Sequence, residues 1–210
     1  MWNVRPRLWL HGFQGRPEDL DQLTAQERSW CLDLPEAPRG RYGATRALVR
    51  RLLAPALGCG PLDVPLHSPP GQPPRLERDL GWISLSHSGD HLLLAWSPRP
   101  IGVDLEASER PLLARALVDR FFPPEERRQL QGLEGAELRR AVLESWVLKE
   151  AAIKWRSGSL AADLRYWNWD HRRRLLMDLR CQQAAPHRCE LRRSWLCAAV
   201  GEAVDRIEWG

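Results

Sequence analysis

Lysine is nearly absent from this chain. Of its 31 basic residues only Lys149 and Lys154 are lysine, and arginine supplies the rest. The lysine ammonium is a compact charge and the guanidinium group is planar, so a chain this rich in arginine is expected to keep lysine where a compact charge is required. The closeness of the two lysines in the sequence points to one functional segment, with codon bias as the alternative explanation.

Long apolar runs and paired cysteine motifs are also missing. No segment approaches the roughly 20 apolar residues that a membrane span needs. The N-terminal residues 1–13 include Arg5, Arg7 and His11, which predicts that they are not a signal peptide. The five cysteines form no CxxC pair and have no histidine at zinc-like spacing. Reduced thiols in a cytoplasmic protein are therefore expected, without a disulfide framework or a zinc site.

The composition is that of a folded protein. The chain has 210 residues, 43% of them hydrophobic, and a net charge of +4, which excludes a disordered tail or a coiled coil. Each half has a helical pattern first and strands after it. We therefore expect an α+β fold of two similar lobes, residues 1–100 and 101–210, each with a small antiparallel sheet packed against helices.

Two carboxylates share one face of a predicted strand at residues 101–106. Side chains alternate along a strand, so Asp104 and Glu106 lie on one face, about 6.6 Å apart. That spacing suits a hard cation held between them, and Gly102 leaves space for a ligand to approach. The alternative is an exposed edge strand that carries two ordinary surface acids.

A third carboxylate lies between the two lysines. Residues 144–155 form a strong helical pattern in which Glu150 and Lys154 are four positions apart on one face. Such a pair is also common as an exposed salt bridge. Because both lysines flank Glu150, the segment is better suited to a magnesium ion that holds a pyrophosphate, with the ammonium groups neutralising phosphoryl charge.

Two further groups could bind phosphate. The sequence Ser-His-Ser at residues 86–88 ends a predicted strand and offers hydrogen-bond donors, although a single histidine in a turn is often structural. Arg41, Arg46 and Arg50 lie on one flank of a predicted helix at residues 41–57, where they form either a phosphate pocket or a solvated face.

In this order, four segments resemble the motifs of the surfactin-type 4′-phosphopantetheinyl transferases: SHS, IGVDLE, FFPPEE at residues 121–126 and WVLKEAAIK at residues 146–154. The resemblance covers residues 41–158 most clearly. It implies a monomer of two lobes with coenzyme A as co-substrate in the cleft between them. The implied reaction is Mg²⁺-dependent transfer of the phosphopantetheine arm to a serine of an apo acyl or peptidyl carrier protein, releasing 3′,5′-ADP.

The resemblance also implies roles for individual residues. The metal ligands would be Asp104, Glu106 and Glu150, and the catalytic residues Glu150, Lys154 and His87. The coenzyme A contacts would be Arg41, Arg46, Gln72, Ser86, His87, Asp104, Lys149 and Lys154. Two positions depart from the family pattern. Gln72 replaces a lysine, a charge that Arg75 could restore, and Ser84 stands where an asparagine is common.

An apolar stripe follows the acidic strand. Leu112, Leu113, Leu117 and Phe121 form either a docking surface for a carrier protein or part of the core. Carrier proteins are acidic, so a basic chain is expected to attract them electrostatically.

Two other functions are consistent with parts of the sequence. Arginines at residues 172–174 and 192–193, near the aromatic residues 166–169, suit a module that binds single-stranded nucleic acid. The basic residues are, however, spread along the chain and nearly balanced by acids. A protein that binds coenzyme A or a carrier without turnover is the other alternative, and the intact acids and lysines argue against it.

Overall fold

The computed structural model describes residues 5–13, 17–77 and 79–210, with the side chains of 17–19 excluded. In this part of the chain the helices are α1 (Ala25–Leu32), α2 (Glu36–Leu57), α3 (Ala114–Phe121), α4 (Pro124–Leu130), α5 (Gly135–Trp155) and α6 (Leu160–Asp163). The strands are β1 (Arg7–Gly12), β2 (Leu66–His67), β3 (Arg75–Leu76), β4 (Trp82–Ser88), β5 (His91–Ser97), β6 (Ile101–Ala107), β7 (Trp167–Asp170), β8 (Leu175–Asp178), β9 (Gln183–Ala185), β10 (His187–Arg192), β11 (Trp195–Gly201) and β12 (Glu208–Trp209). The predicted α+β class is confirmed. None of the described helices is long and apolar enough to cross a membrane.

The strands form several small sheets. One sheet has the order β12-β1-β5-β4, and another has the order β10-β11-β6. Strands β7, β8 and β9 form a third sheet, and β2 pairs with β3. The ladders are antiparallel except that β1 pairs with β12 in parallel. Through that parallel pair, the last strand of the chain completes the sheet of the first half.

Local sequence signals set the ends of the helices in the first half. Thr24 caps α1 in a capping box, where its hydroxyl accepts from the Glu27 N–H and the Glu27 carboxylate accepts from the Thr24 N–H. Helix α2 ends at Gly58, whose φ of +68° is in the left-handed region that glycine adopts without strain. Pro55 lies inside the last turn of this helix.

The two halves share an apolar core. Ile101, Val103 and Leu105 face this core together, as the alternation of β6 predicts. They pack with Leu8 and Leu93 of the first half. Strand β6 is therefore fixed against both halves, and its opposite face carries Asp104 and Glu106.

Helix α5 lies unusually close to β6 at Gly102. A Cβ atom at this glycine would come within 2.0 Å of the Ala151 carbonyl oxygen and 2.3 Å of the Trp155 nitrogen. The missing side chain therefore lets the helix, and not a ligand, approach the strand. This corrects the expectation that Gly102 leaves space for a ligand.

Candidate active site

A cleft of about 1740 Å³ has walls from both halves of the chain. The first half contributes the start of α2, the loop at residues 69–77 and strand β4. The second half contributes Ile101 and the end of α5, with Lys154 and Trp155. Arg41, Arg46, Gln72, Arg75, His87 and Lys154 all line it. Six basic or polar side chains expected near coenzyme A are thus gathered around one cavity.

Asp104, Glu150 and Lys154 meet at the edge of this cleft. Asp104 is only 2% exposed on β6, and its Oδ1 lies 2.7 Å from the Lys154 Nζ. The same ammonium is 3.9 Å from the Glu150 Oε2. The close packing of α5 on β6 at Gly102 makes this meeting of helix and strand possible. The structure thus brings together two of the three predicted metal ligands and the predicted catalytic lysine.

Glu106 is held by other partners. Its Oε1 pairs with Arg110, and its Oε2 accepts a hydrogen bond of 3.0 Å from the Ser88 hydroxyl. Within the described residues, no group of three histidines, cysteines or acids is already arranged to hold a metal ion. The expected set of Asp104, Glu106 and Glu150 is therefore not preassembled among these residues, and Arg110 pairs with one of its carboxylates.

The donor atoms nevertheless fit a hard divalent cation. The Asp104 Oδ2 is buried and accepts no hydrogen bond from the described residues. Burial and the negative charges of Asp104 and Glu106 raise the pKa of Glu150 to about 7, although Lys154 opposes the shift. Carboxylate oxygens with uncompensated negative charge are the ligands that Mg²⁺ prefers. Asp104 and Glu150 would hold such an ion, with Glu106 as a third ligand once Arg110 moves away.

Ser86 and His87 are adjacent on β4, but their side chains lie in different surroundings. Ser86 is buried, and its hydroxyl donates a hydrogen bond of 2.7 Å to the Asp104 Oδ1. His87 lines the cleft instead. Desolvation there lowers the pKa of His87, and the positive charges of Arg41 and Lys154 lower it further. The imidazole is thus favoured in its neutral form, as a donor or acceptor beside the cleft.

Of the three arginines on one flank of α2, two line the cleft and the third does not. Arg41 is exposed in the cleft, whereas Arg46 is 7% exposed, pairs with the Ser68 hydroxyl and lies over the Tyr42 ring. Arg50 turns away from the cleft. It is 2% exposed and lies 2.7 Å from the Glu27 carboxylate.

Arg50 also donates to three carbonyl groups at residues 61–64. It therefore fixes a loop, and it forms no part of a phosphate pocket.

Lys149 does not reach the cleft. Its side chain is 0% exposed, its Nζ lies 2.6 Å from the Glu126 Oε2, and it sits 3.6 Å from the centre of the Phe122 ring. Both partners come from the FFPPEE segment, which had no assigned role. This corrects the expectation that Lys149 contacts coenzyme A, because its charge is used inside the second half of the fold.

The predicted docking stripe is mostly packed. Leu113 is 81% exposed, whereas Leu112, Leu117 and Phe121 pack against an apolar cluster around α3 and α5. The aromatic segment of the nucleic-acid alternative is buried as well, since Trp167 and Trp169 are 0% and 1% exposed. Those two rings are therefore unavailable to stack on bases.

The partners of Glu106 are not those that the sequence predicts. Ser88, as part of the SHS segment, is expected from the sequence only as a hydrogen-bond donor to phosphate, and no sequence pattern singles out Arg110. One signal was present, because Ser84, Ser86 and Ser88 alternate along one predicted strand and must share a face. That face lies against β6.

Comparison with known proteins agrees with the resemblance that the sequence motifs indicate. Residues 100–200 match the family model described as the 4′-phosphopantetheinyl transferase superfamily. A provisionally named 4′-phosphopantetheinyl transferase of Synechocystis sp. is 34% identical over 118 residues, which cover 54% of this chain and 48% of that protein. A phosphopantetheinyl transferase of Thraustochytrium sp. is 33% identical over 134 residues, 57% of this chain and 46% of that protein.

The 4′-phosphopantetheinyl transferase AcpT of Salmonella typhimurium is 30% identical over 127 residues, 60% of this chain and 65% of that protein. The matched part of the chain thus spans between about half and two thirds of the length of these relatives. The resemblance to phosphopantetheinyl transferases is confirmed by these matches.

Proposed function

We propose that this chain transfers the 4′-phosphopantetheine arm of coenzyme A to a serine hydroxyl of an apo carrier protein. The observation that carries the proposal is the meeting of Asp104, Glu150 and Lys154 at the edge of a cleft with Arg41 and Arg46 on its other wall. The match of residues 100–200 to the transferase superfamily supports it.

The cleft suits a co-substrate with several phosphate groups. Arg41 and Arg46 provide positive charge for the 3′-phosphate of coenzyme A, because guanidinium groups bind phosphate oxygens well. Arg75 also lines the cleft and supplies the charge that Gln72 lacks. Lys154 and His87 lie on the side of the acids, where the diphosphate would be placed.

The reaction exchanges one phosphorus–oxygen bond for another. The serine oxygen of the carrier attacks the phosphorus that bears the pantetheine arm, and the bond from that phosphorus to the ADP oxygen breaks, so 3′,5′-ADP leaves. Glu150 accepts the serine proton, directly or through a water molecule. Lys154 and His87 stabilise the charge on the phosphoryl oxygens. Mg²⁺, held by Asp104, Glu150 and Glu106, would neutralise the diphosphate.

The carrier protein would be attracted by the net charge of +4. Leu113, just before α3, is an exposed apolar side chain that the carrier would contact. One chain supplies both walls of the cleft, so the proposed enzyme needs no second copy to complete its site and would act as a monomer. Its proposed location is the cytoplasm. Affinity for an acidic carrier should fall as salt is added. An affinity that is independent of salt would contradict electrostatic attraction.

A mass measurement tests the proposal directly. The protein is incubated with apo acyl carrier protein, coenzyme A and Mg²⁺, and the carrier is then weighed. We expect a gain of one phosphopantetheine group that EDTA abolishes. No gain with several carriers, combined with coenzyme A binding in a titration, would indicate a binding protein without turnover. Nucleic acid retained on purification, with no coenzyme A binding, would favour the nucleic-acid module.

Glu150→Gln separates chemistry from binding. It removes the proton acceptor but keeps the size of the side chain, so turnover should fall about 100-fold. Coenzyme A affinity measured in EDTA should stay close to that of the unmodified protein. Unchanged turnover would show that Glu150 is neither the base nor an essential ligand.

A further inference from the structure

We propose that Ser86 is a positioning residue for Asp104 and not a contact of the coenzyme A diphosphate. Its hydroxyl fixes the Asp104 Oδ1, so that Oδ2 remains as the oxygen available to a divalent cation. This inference rests on the proposed function only in that a hard cation acts at Asp104.

The geometry begins with a row of serines on β4. Ser84, Ser86 and Ser88 alternate along the strand and all bond to β6. The Ser84 hydroxyl accepts from the Val103 N–H at 3.1 Å. The other two hydroxyls donate to Asp104 and Glu106, at 2.7 Å and 3.0 Å. The serine row thus joins β4 to β6 by side chains and orients both carboxylates of β6.

The donor capacity of Ser86 argues against a phosphate contact. A serine hydroxyl has one hydrogen to donate, and Ser86 gives it to the Asp104 Oδ1. The lone pairs that remain on its oxygen would repel a phosphate oxygen. Ser86 is also buried, at 7% exposure. Its neighbour His87, by contrast, lines the cleft and remains suited to the diphosphate.

The two oxygens of Asp104 have different surroundings. Oδ1 accepts from Ser86 and from Lys154, both at 2.7 Å. Oδ2 is buried and has no hydrogen-bond partner among the described residues. Buried polar atoms in native proteins almost always have a partner, so Oδ2 is the atom that a cation would satisfy. Without the Ser86 hydroxyl, the carboxylate could turn and lose this orientation.

Glu106 is also held by a serine of β4, but neither of its oxygens is left without a partner. Ser88 holds its Oε2, and Arg110 holds its Oε1. Because both oxygens of Glu106 already have partners and neither is open to a cation as Asp104 Oδ2 is, Ser88→Ala should affect metal affinity less than Ser86→Ala does.

The test compares binding of Mn²⁺, as a probe for a hard divalent cation, with binding of coenzyme A. Mn²⁺ affinity of the free protein is measured by electron paramagnetic resonance, and coenzyme A affinity is measured in EDTA by calorimetry. Ser86→Ala should weaken Mn²⁺ binding about 10-fold, as expected when a group that orients a metal ligand is lost. Ser86→Thr, which keeps the hydroxyl, should restore most of that affinity. Coenzyme A affinity in EDTA should not change.

Ser97→Ala is the matched control. Ser97 is a buried strand serine, 1% exposed, whose hydroxyl accepts from the Arg99 N–H. This variant should leave both affinities unchanged. Thermal unfolding of every variant shows whether the fold is intact.

Three results would overturn the proposal. If Ser86→Ala weakens coenzyme A binding in EDTA and leaves Mn²⁺ binding unchanged, Ser86 is a diphosphate contact. If both affinities and the unfolding temperature fall together, the hydroxyl serves the fold. If the unmodified protein binds no Mn²⁺, no cation acts at Asp104. Failure of the carrier assay alone would reject the proposed function and leave the role of Ser86 intact.

Discussion

The two lysines of helix α5 have opposite surroundings although they are five positions apart. Lys149 is 0% exposed and pairs with Glu126, which is also 0% exposed, at 2.6 Å. Lys154 is 31% exposed and lies 2.7 Å from Asp104 and 3.9 Å from Glu150. Five positions correspond to about 1.4 turns of the helix, a net rotation of about 140°, so the two ammonium groups leave the helix on different sides.

The comparison separates a pair that holds the fold from a pair suited to chemistry. Burial lowers the pKa of Lys149 and raises the pKa of Glu126, and each charge opposes the shift of the other. Neither partner can be lost without leaving an isolated charge. In the cleft, Lys154 faces more than one carboxylate, so it can exchange partners when a phosphate or a cation arrives.

The largest expected effect is on stability, from the buried lysine. Lys149→Ala should lower the free energy of unfolding by about 3–5 kcal/mol, because Glu126 is left buried without its partner. Urea unfolding followed by tryptophan fluorescence measures this change. A variant as stable as the unmodified protein would show that the pair does not hold the fold.

A double variant provides the control for Lys149. Replacing both partners, in Lys149→Met with Glu126→Leu, removes both charges and fills similar volume. Such replacements are often neutral or stabilising, so most of the lost stability should return. Continued instability would point to the hydrogen bond that Glu126 accepts from the Trp169 N–H, and not to the isolated charge.

The second effect is on turnover, from the cleft lysine. Lys154→Met should reduce transfer to apo carrier protein about 100-fold, the cost of one lost donor to a developing charge. The free energy of unfolding should fall by less than in Lys149→Ala, because Lys154 is partly exposed to solvent and the buried Asp104 keeps its hydrogen bond from Ser86. Mass spectrometry of the carrier and urea unfolding measure the two quantities.

Lys154→Arg sharpens this result. It keeps the charge but replaces a compact ammonium with a wider planar group, so its turnover should lie between those of Lys154→Met and the unmodified protein. If Lys154→Met were as unstable as Lys149→Ala, the distinction between the two lysines would be wrong.

Short-range periodicity explains what the sequence could predict. The alternation of β6 correctly put Ile101, Val103 and Leu105 on the apolar side, opposite to Asp104 and Glu106. Helical spacing correctly put Glu150 beside Lys154. Each of these relations depends on residues at most four positions apart, which a regular helix or strand determines without knowledge of the rest of the fold.

Contacts between distant segments explain what it could not predict. Glu126 and Lys149 come from different helices, and no spacing rule indicates that they meet in the interior. The role of Gly102 depends on where α5 crosses β6, which only the packed structure shows. The partner of Ser86 likewise lies on another strand. The motifs were recognisable, but whether each side chain pointed inward or into the cleft was not.

Gly102→Ala is expected to disturb the packing of α5 on β6, which brings Lys154 to Asp104. The added methyl would meet backbone atoms of Ala151 and Trp155, so α5 must move away from β6. Overpacking of this kind should cost about 2 kcal/mol of unfolding free energy, and transfer should fall because Lys154 moves from Asp104. Gly40→Ala is the control, since Gly40 lies in α2 with nothing within 4 Å of the added atom. That variant should gain a little stability.

The smallest effect concerns pH and the interior side of α5. His171 lies 3.0 Å from the Ser145 hydroxyl through its Nε2. Its pKa is lowered from 6.5 to about 4, mainly by burial, and the positive charges of Lys149 and Arg174 act in the same direction. The negative charges of Glu144 and of the neighbouring Asp170 oppose the shift.

Because the unfolded chain takes up the His171 proton at a higher pH than the folded protein, folding stability must fall as the pH drops from 6.5 toward 4. His171→Gln cannot take up that proton, so between pH 6.5 and 5.5 it should lose about 1 kcal/mol less than the unmodified protein. Urea unfolding at both pH values measures the difference, and the comparison at pH 8, where histidine is neutral in both states, corrects for lost contacts. Parallel stability curves would mean that His171 is not held neutral by the interior. The buried side of α5 would then tolerate charge in the same way as the cleft.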